Sequence, residues 1–224
     1  MARRALVLAD GDVPSRAGLD AAWPDWDEGI ELVVAADGGL RIAAVLGLRV
    51  DRWVGDGDSV EAGDLDALRQ AGVPVALAAS DKDESDTELA VLSALDAGAD
   101  DVTVLGAVGG PRLDHALANV GLLAHPRLAG RSARLLDPRA RVTLLTGPAR
   151  ATFEGREGDL VSLLPLADSV VGVTTDGLRY PLRDEPLHLG PPRGLSNVRL
   201  RGDAVVELRA GRLLVVETPA TLGP

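Results

Sequence analysis

The chain has 224 residues, enough for one large core or two small ones, and its 46% hydrophobic content is that of a globular protein. A formal charge of −11 disfavours nonspecific binding to nucleic acid or to anionic membranes, so an anionic substrate would have to be met by metal ions or by local Arg and Lys. The chain has no cysteine, which excludes disulfides, thiolate metal sites and thiol catalysis. After Arg3-Arg4 the apolar run Ala5 to Ala9 is too short for a signal sequence or a membrane span. With the lack of cysteine, this gives the expectation of a soluble, cytoplasmic protein.

The first two-thirds alternates strand-like and helical stretches, the pattern of an open, mostly parallel sheet with flanking helices. Arg4 to Ala9 and Leu32 to Ala36 read as buried strands. The second runs into Asp37-Gly38-Gly39 and a helical segment ending near Leu46, a strand, turn and helix start that can offer backbone amides to a phosphate. Arg52 to Gly55 is a short strand ending at Asp56-Gly57-Asp58-Ser59. A helix over 64–71 and a strand over 74–79 follow.

Ser80 to Glu88 places five carboxylates around Lys82, the single lysine among 23 Lys and Arg positions. An ammonium is a compact point charge and a guanidinium a planar fork, so the choice of Lys at this position is a chemical clue. Ser85 to Glu88 fits a capping box that opens a helix ending near Gly98, which leaves the Asp86 carboxylate free for other work. Asp101 to Leu105 is a strand leading to Gly109-Gly110-Pro111-Arg112 and a helix from Asp114, the expected N-cap, to about Ala124. Strands are expected over 132–136 and 141–145. Beyond Thr146-Gly147-Pro148 no helical period survives. Short β-type runs at 160–164, 170–174, 178–181, 205–208 and 213–217 predict an all-β sandwich, with Ala210-Gly211 as a hairpin turn. The expected domains are 1–146 and 147–224.

Asp56 and Asp58, the stretch Asp81 to Asp86, and Gly109 to His115 all follow predicted strands on the C-terminal edge of the sheet, where open α/β folds bind ligands. Clustered carboxylates repel unless divalent cations sit among them, and Mg²⁺ is the usual choice beside a polyphosphate. Arg112 beside two glycines suits phosphate oxygens. No Walker A motif is present, and His115 has no partner for a zinc site or a triad.

Ala36-Asp37-Gly38-Gly39, Gly55 to Ser59, Lys82-Asp83 with Ser85-Asp86, Gly109-Gly110 with Arg112 to His115 and Asn119, and Gly194 to Asn197 together resemble, in order, the motifs of the thiamine pyrophosphokinase family. Thr175 to Tyr180 is also similar to that family's β domain. The resemblance implies an N-terminal α/β domain, a C-terminal β-sandwich and a homodimer. It further implies Mg²⁺-dependent transfer of pyrophosphate from ATP to the thiamine hydroxyl, releasing AMP. It places Asp56, Asp58, Asp83 and Asp86 at the metal, with Lys82 nearby, and Asp37, Gly38, Gly39, Gly109, Gly110, Arg112, Asp114 and His115 around the nucleotide. Ser196 and Asn197 fall on the thiamine side. Asp58, Asp86, Lys82 and Arg112 would carry catalysis, with either Asp86 or Asp58 as the base. No aromatic follows Tyr180, so the thiamine ring stacks on a residue from elsewhere or rests on aliphatic groups. Rival readings are a pyrophosphokinase for another hydroxymethyl heterocycle, such as a pterin, and a non-catalytic nucleotide-binding relative.

Overall fold

The computed structural model describes residues 3–220 and resolves the chain into two compact units, Met1–Pro138 and Arg139–Pro224. In the first unit the elements run β1 (Arg4–Leu8), α1 (Arg16–Ala22), β2 (Ile30–Ala36), a 3₁₀ turn (Asp37–Gly39), α2 (Leu40–Leu46), β3 (Arg52–Gly55), α3 (Ala62–Gln70), β4 (Val75–Leu77), α4 (Asp86–Asp96), β5 (Asp101–Leu105), α5 (Leu113–Leu122) and β6 (Ser132–Asp137). Their six strands lie in the order β6-β5-β1-β2-β3-β4, every pair parallel. From β1 the chain steps outward through β2, β3 and β4, then returns to β5 on the other side of β1. The order therefore reverses at β1 and β5, and the loops after these two strands diverge to leave a crevice.

The core explains the strand pattern. β1 is buried at Ala5, Leu6, Val7 and Leu8, and β2 from Leu32 to Ala36, as expected for strands covered on both faces. Trp53 of β3 is fully buried against Leu6, Leu8, Ile42 and Leu46. Helix α1, absent from the sequence reading, is capped by Ser15, whose Oγ accepts from Gly18 N at 3.1 Å. α4 starts as read: Ser85 Oγ accepts from Glu88 N at 3.1 Å. The reciprocal half of the box is not made, because the Glu88 carboxylate turns to His125 Nε2 at 3.5 Å. Asp114 is not the cap of α5. That place belongs to Arg112, and Asp114 lies in the first turn.

The second unit comprises β7 (Ala140–Thr146), β8 (Ala149–Glu154), β9 (Leu160–Pro165), β10 (Ser169–Asp176), β11 (Glu185–His188), β12 (Asn197–Val198), β13 (Asp203–Leu208) and β14 (Arg212–Thr218). These form two antiparallel sheets, β12-β9-β14-β7 and β11-β10-β13-β8. Phe153, Val161, Leu163, Val170, Val173, Leu187, Leu208 and Leu213 fill the core of this sandwich. β7 had been counted with the first domain, but it pairs along its length with β14 and so belongs here. The run expected as a strand over 178–181 is not one: it makes only an isolated bridge from Leu178 to Arg199.

Candidate active site

The strand ends of the first unit converge on one pocket. Its wall includes Asp10 and Gly11 after β1, Ala36 and Asp37 at the end of β2, Asp56, Asp58 and Ser59 after β3, Ser85 to Thr87 at the start of α4, Gly106, Ala107 and Gly109 to Arg112 in the loop after β5, and Asp114, His115 and Asn119 of α5. The crevice is held by bonds between its loops: Gly11 N donates to the Gly106 carbonyl at 2.9 Å, and Gly110 N donates to the side-chain Oδ1 of Asp12 at 2.8 Å. Gly109 sits at φ 84°, and a Cβ there would collide with the Asp12 carboxylate, so this corner requires glycine.

Asp37 is the most constrained member. It is only 4% exposed, holds φ 42°, and its Oδ1 has no hydrogen-bond partner. Its backbone carbonyl accepts from Trp53 Nε1 at 3.0 Å, so the buried indole fixes it from below. A carboxylate oxygen from each of Asp37, Asp56 and Asp58 can be chosen so that all three lie within 4.8 Å of one another. Burial pushes the Asp37 carboxyl up from the ordinary range, the Ser59 hydroxyl opposes this, and the nearby charges of Asp86, Asp58 and Asp56 add to it. Three hard oxygen donors, one of them buried and unsatisfied, fit a divalent cation such as Mg²⁺.

Lys82 lies beside this group, with Nζ 3.1 Å from Asp86 Oδ1 and 3.9 Å from Asp56 Oδ2. The first contact is one of charge without hydrogen-bond geometry, since Asp86 Oδ1 has no hydrogen-bond partner. Asp83, expected among the metal ligands, is exposed and does not line the pocket. Gly38 and Gly39 do not line it either. A Cβ on Gly39 would strike the carbonyl of Leu8 and one on Gly38 the Asp10 carboxylate, so they serve close packing of the turn against β1 and its loop. Arg112, Asp114 and His115 do line the pocket. Arg112 grips Asp114 through Nε to Oδ1 at 2.9 Å and Nη2 to Oδ2 at 2.5 Å. That pairing holds the Asp114 carboxyl down at about 2.

Asp10 and Ser59 also line the pocket, although the sequence reading gives neither a role. Asp10 pairs with Arg41 of α2, and burial raises its carboxyl against the pull of that guanidinium. Its signal was available: it is an acidic residue at a strand end, like the others. Ser59 Oγ donates to Asp58 Oδ1 at 2.8 Å. Asn119, buried, donates from Nδ2 to Ala107 O at 2.8 Å and braces the loop after β5.

In the second unit Asn197 is committed to the backbone. Its Nδ2 donates to Tyr180 O at 2.7 Å, and its Oδ1 accepts from Tyr180 N at 3.0 Å and Val198 N at 2.9 Å. The Tyr180 main chain is thus clipped from both sides while the residue stays 61% exposed. Ser196 sits at φ 56° with N donating to Ser162 Oγ at 3.0 Å. Tyr180, Asn197, Arg193, Leu195, Leu163 and Leu182 line a small hollow.

Two family models match the chain: thiamin pyrophosphokinase, catalytic domain, over residues 26–134, and thiamin pyrophosphokinase, vitamin B1 binding domain, over 150–213. The thiamine pyrophosphokinase of Bacillus subtilis (strain 168) is 26% identical over 165 residues, covering 73% of this chain and 76% of that protein. A solved thiamine pyrophosphokinase from Bacillus subtilis shares the fold at a TM-score of 0.83, with 24% identity over 97% of this chain and 99% of that one. One from Geobacillus thermodenitrificans aligns at a TM-score of 0.77, with 26% identity over 96% of this chain and 97% of that one. The strand-end carboxylates, the glycine loop and the clipped Tyr180 therefore stand on a chain matched in both halves, and the protein belongs to the thiamine pyrophosphokinase family.

Proposed function

We propose that this protein transfers a pyrophosphoryl group from ATP to the hydroxyl of thiamine, yielding thiamine diphosphate and AMP, in a Mg²⁺-dependent reaction. The observation that carries the reading is the convergence of Asp37, Asp56 and Asp58 within 4.8 Å beside a glycine-lined crevice. Those three carboxylates, with Asp86 adjacent, would hold Mg²⁺. When bound, the ion would supply charge neutralisation on the polyphosphate oxygens, the main need of a phosphoryl-type transfer.

The chain's own groups do the positioning. The loop from Gly106 to Gly110 shapes the nucleotide crevice, with His115 at its rim. Arg112, exposed and held by Asp114, exchanges that carboxylate for phosphate oxygens when ATP arrives, a swap between two partners of similar geometry. Asp86 or Asp58 receives the thiamine hydroxyl proton. Ser196 and Asn197 take the thiamine side, Asn197 acting through the backbone of Tyr180, whose open ring offers the stacking face. The match to a vitamin B1 binding domain over this region favours thiamine over a pterin. The family resemblance supports a homodimer, and the need for ATP supports a cytoplasmic location. Among the described residues no helix is long and apolar enough to cross a membrane.

The test is to offer ATP, Mg²⁺ and either thiamine or a hydroxymethyl pterin. Thiamine diphosphate is the expected product, and formation of the pterin ester alone would overturn the reading. Light scattering on the active species should give twice the chain mass.

A further inference from the structure

We infer that the ε-ammonium of Lys82 occupies the place of a second divalent cation, so that the carboxylate pocket takes one metal ion per chain. The inference rests on the metal site proposed above. Asp10, Asp37, Asp56, Asp58 and Asp86 all face one pocket, a density of like charge that ordinarily calls for more than one divalent ion. The carboxylates are not distributed evenly. Asp37, Asp56 and Asp58 converge as a group, and Asp37 Oδ1 is buried there with neither a hydrogen-bond partner nor, among the described residues, an ion pair, whereas Asp86 Oδ1, also without a hydrogen bond, has Lys82 Nζ at 3.1 Å.

Two cations fixed in the chain already stand beside this group. Asp10 is paired with Arg41. Asp86 Oδ1 and Asp56 Oδ2 lie 3.1 and 3.9 Å from Lys82 Nζ, and the lysine side chain is only 13% exposed. An ammonium held there is tethered in the chain and needs no entry from solvent. A guanidinium is too broad and planar to sit as a point charge between two carboxylates, which gives a physical reason for the chain's single lysine to stand at this position. Without that ammonium, Asp56 and Asp86 would face each other as an uncompensated pair of oxygen donors, and a second divalent ion would be drawn in.

The experiment counts Mn²⁺ bound per chain by electron paramagnetic resonance, without nucleotide, in the full-length protein. Wild type, Lys82→Met, Lys82→Gln and the double variant Lys82→Met/Asp86→Asn are compared, each checked for a cooperative thermal transition. One ion is expected for wild type, two for each neutral single variant, and one again for the double variant, because the second ion needs Asp86. Two ions in wild type, or one in both Lys82 variants, overturn the inference while leaving the metal site standing. No bound ion in wild type overturns the metal site itself, and this inference with it.

Discussion

The indole N–H of Trp53 donates to the main-chain carbonyl of Asp37 at 3.0 Å, joining the most buried aromatic of the core to the most strained carboxylate of the pocket. Trp53 is fully buried, and Asp37 holds a left-handed φ of 42° that a non-glycine residue keeps only when its surroundings impose it. Trp53→Phe keeps most of the apolar packing and removes the donor. The buried carbonyl is then unsatisfied, at a cost of about 1–3 kcal/mol in stability. Because the lost bond also fixes Asp37, Mn²⁺ affinity should fall together with stability. Unchanged affinity in a destabilised variant would show that Asp37 is held by the rest of the turn.

Asp37 should be a residue that costs the fold stability for the sake of the site. Burial raises its carboxyl, and the neighbouring carboxylates add to the rise. The folded state therefore binds this proton more readily than the unfolded chain does. In the window between the ordinary aspartate value and the raised one, the metal-free protein gains stability as pH falls and loses it as pH rises. Asp37→Asn removes the charge and suits the left-handed conformation, so the metal-free variant should be more stable than wild type at neutral pH. It should no longer be stabilised by Mg²⁺. Denaturant melts with and without the ion check both signs.

Arg199 and Glu217 form a second buried relationship, at 2.6 Å, with the two side chains 0% and 2% exposed. Arg199 also donates to the carbonyl of Phe153, and Glu217 is shared with Arg141 at 2.6 Å. The pair ties β14 and β8 to the segment just after Asn197. Arg199→Met strips one partner from a buried carboxylate and should cost about 3 kcal/mol, the lower end for a broken buried pair because Arg141 remains. A loss below about 1 kcal/mol would mean that the methionine packs as well as the ion pair did.

Much of the fold was legible because its strands announce themselves. Uninterrupted apolar runs such as Leu6 to Leu8 and Leu32 to Ala36 belong to strands buried on both faces, and each ends at an acidic or glycine residue on the binding edge. α1 was missed because its residues bury little, only Leu19 and Ala22, so it carries a weak period. Tyr180 was read as part of a strand, yet its segment is ordered by Asn197 acting from seventeen positions away, a tertiary bond with no local signature. The same limit applied at the site. Asp56 and Asp58 were visible as a motif, but the approach of Asp37 to them follows from how the turns after β2 and β3 come together, which spacing along the chain does not encode.

Asp58 is the carboxylate whose removal separates site from fold most cleanly, being exposed and bonded to near sequence neighbours, its carboxylate to Ser59 Oγ and its N–H to Asp56 Oδ1. Asp58→Asn should leave the thermal transition within about 0.5 kcal/mol of wild type, as for a surface substitution. Turnover should fall by roughly a hundredfold or more, the scale of losing a group that orients the reacting centre. A variant that keeps its activity would remove Asp58 from both the metal and the base role.

The most direct test of the central claim is to follow the adenine nucleotide product as thiamine is consumed, with Mg²⁺ present and then with EDTA in excess. AMP should appear in step with thiamine diphosphate, and both should stop when the metal is withdrawn. ADP as the product, or formation of thiamine diphosphate that continues undiminished in EDTA, would contradict it.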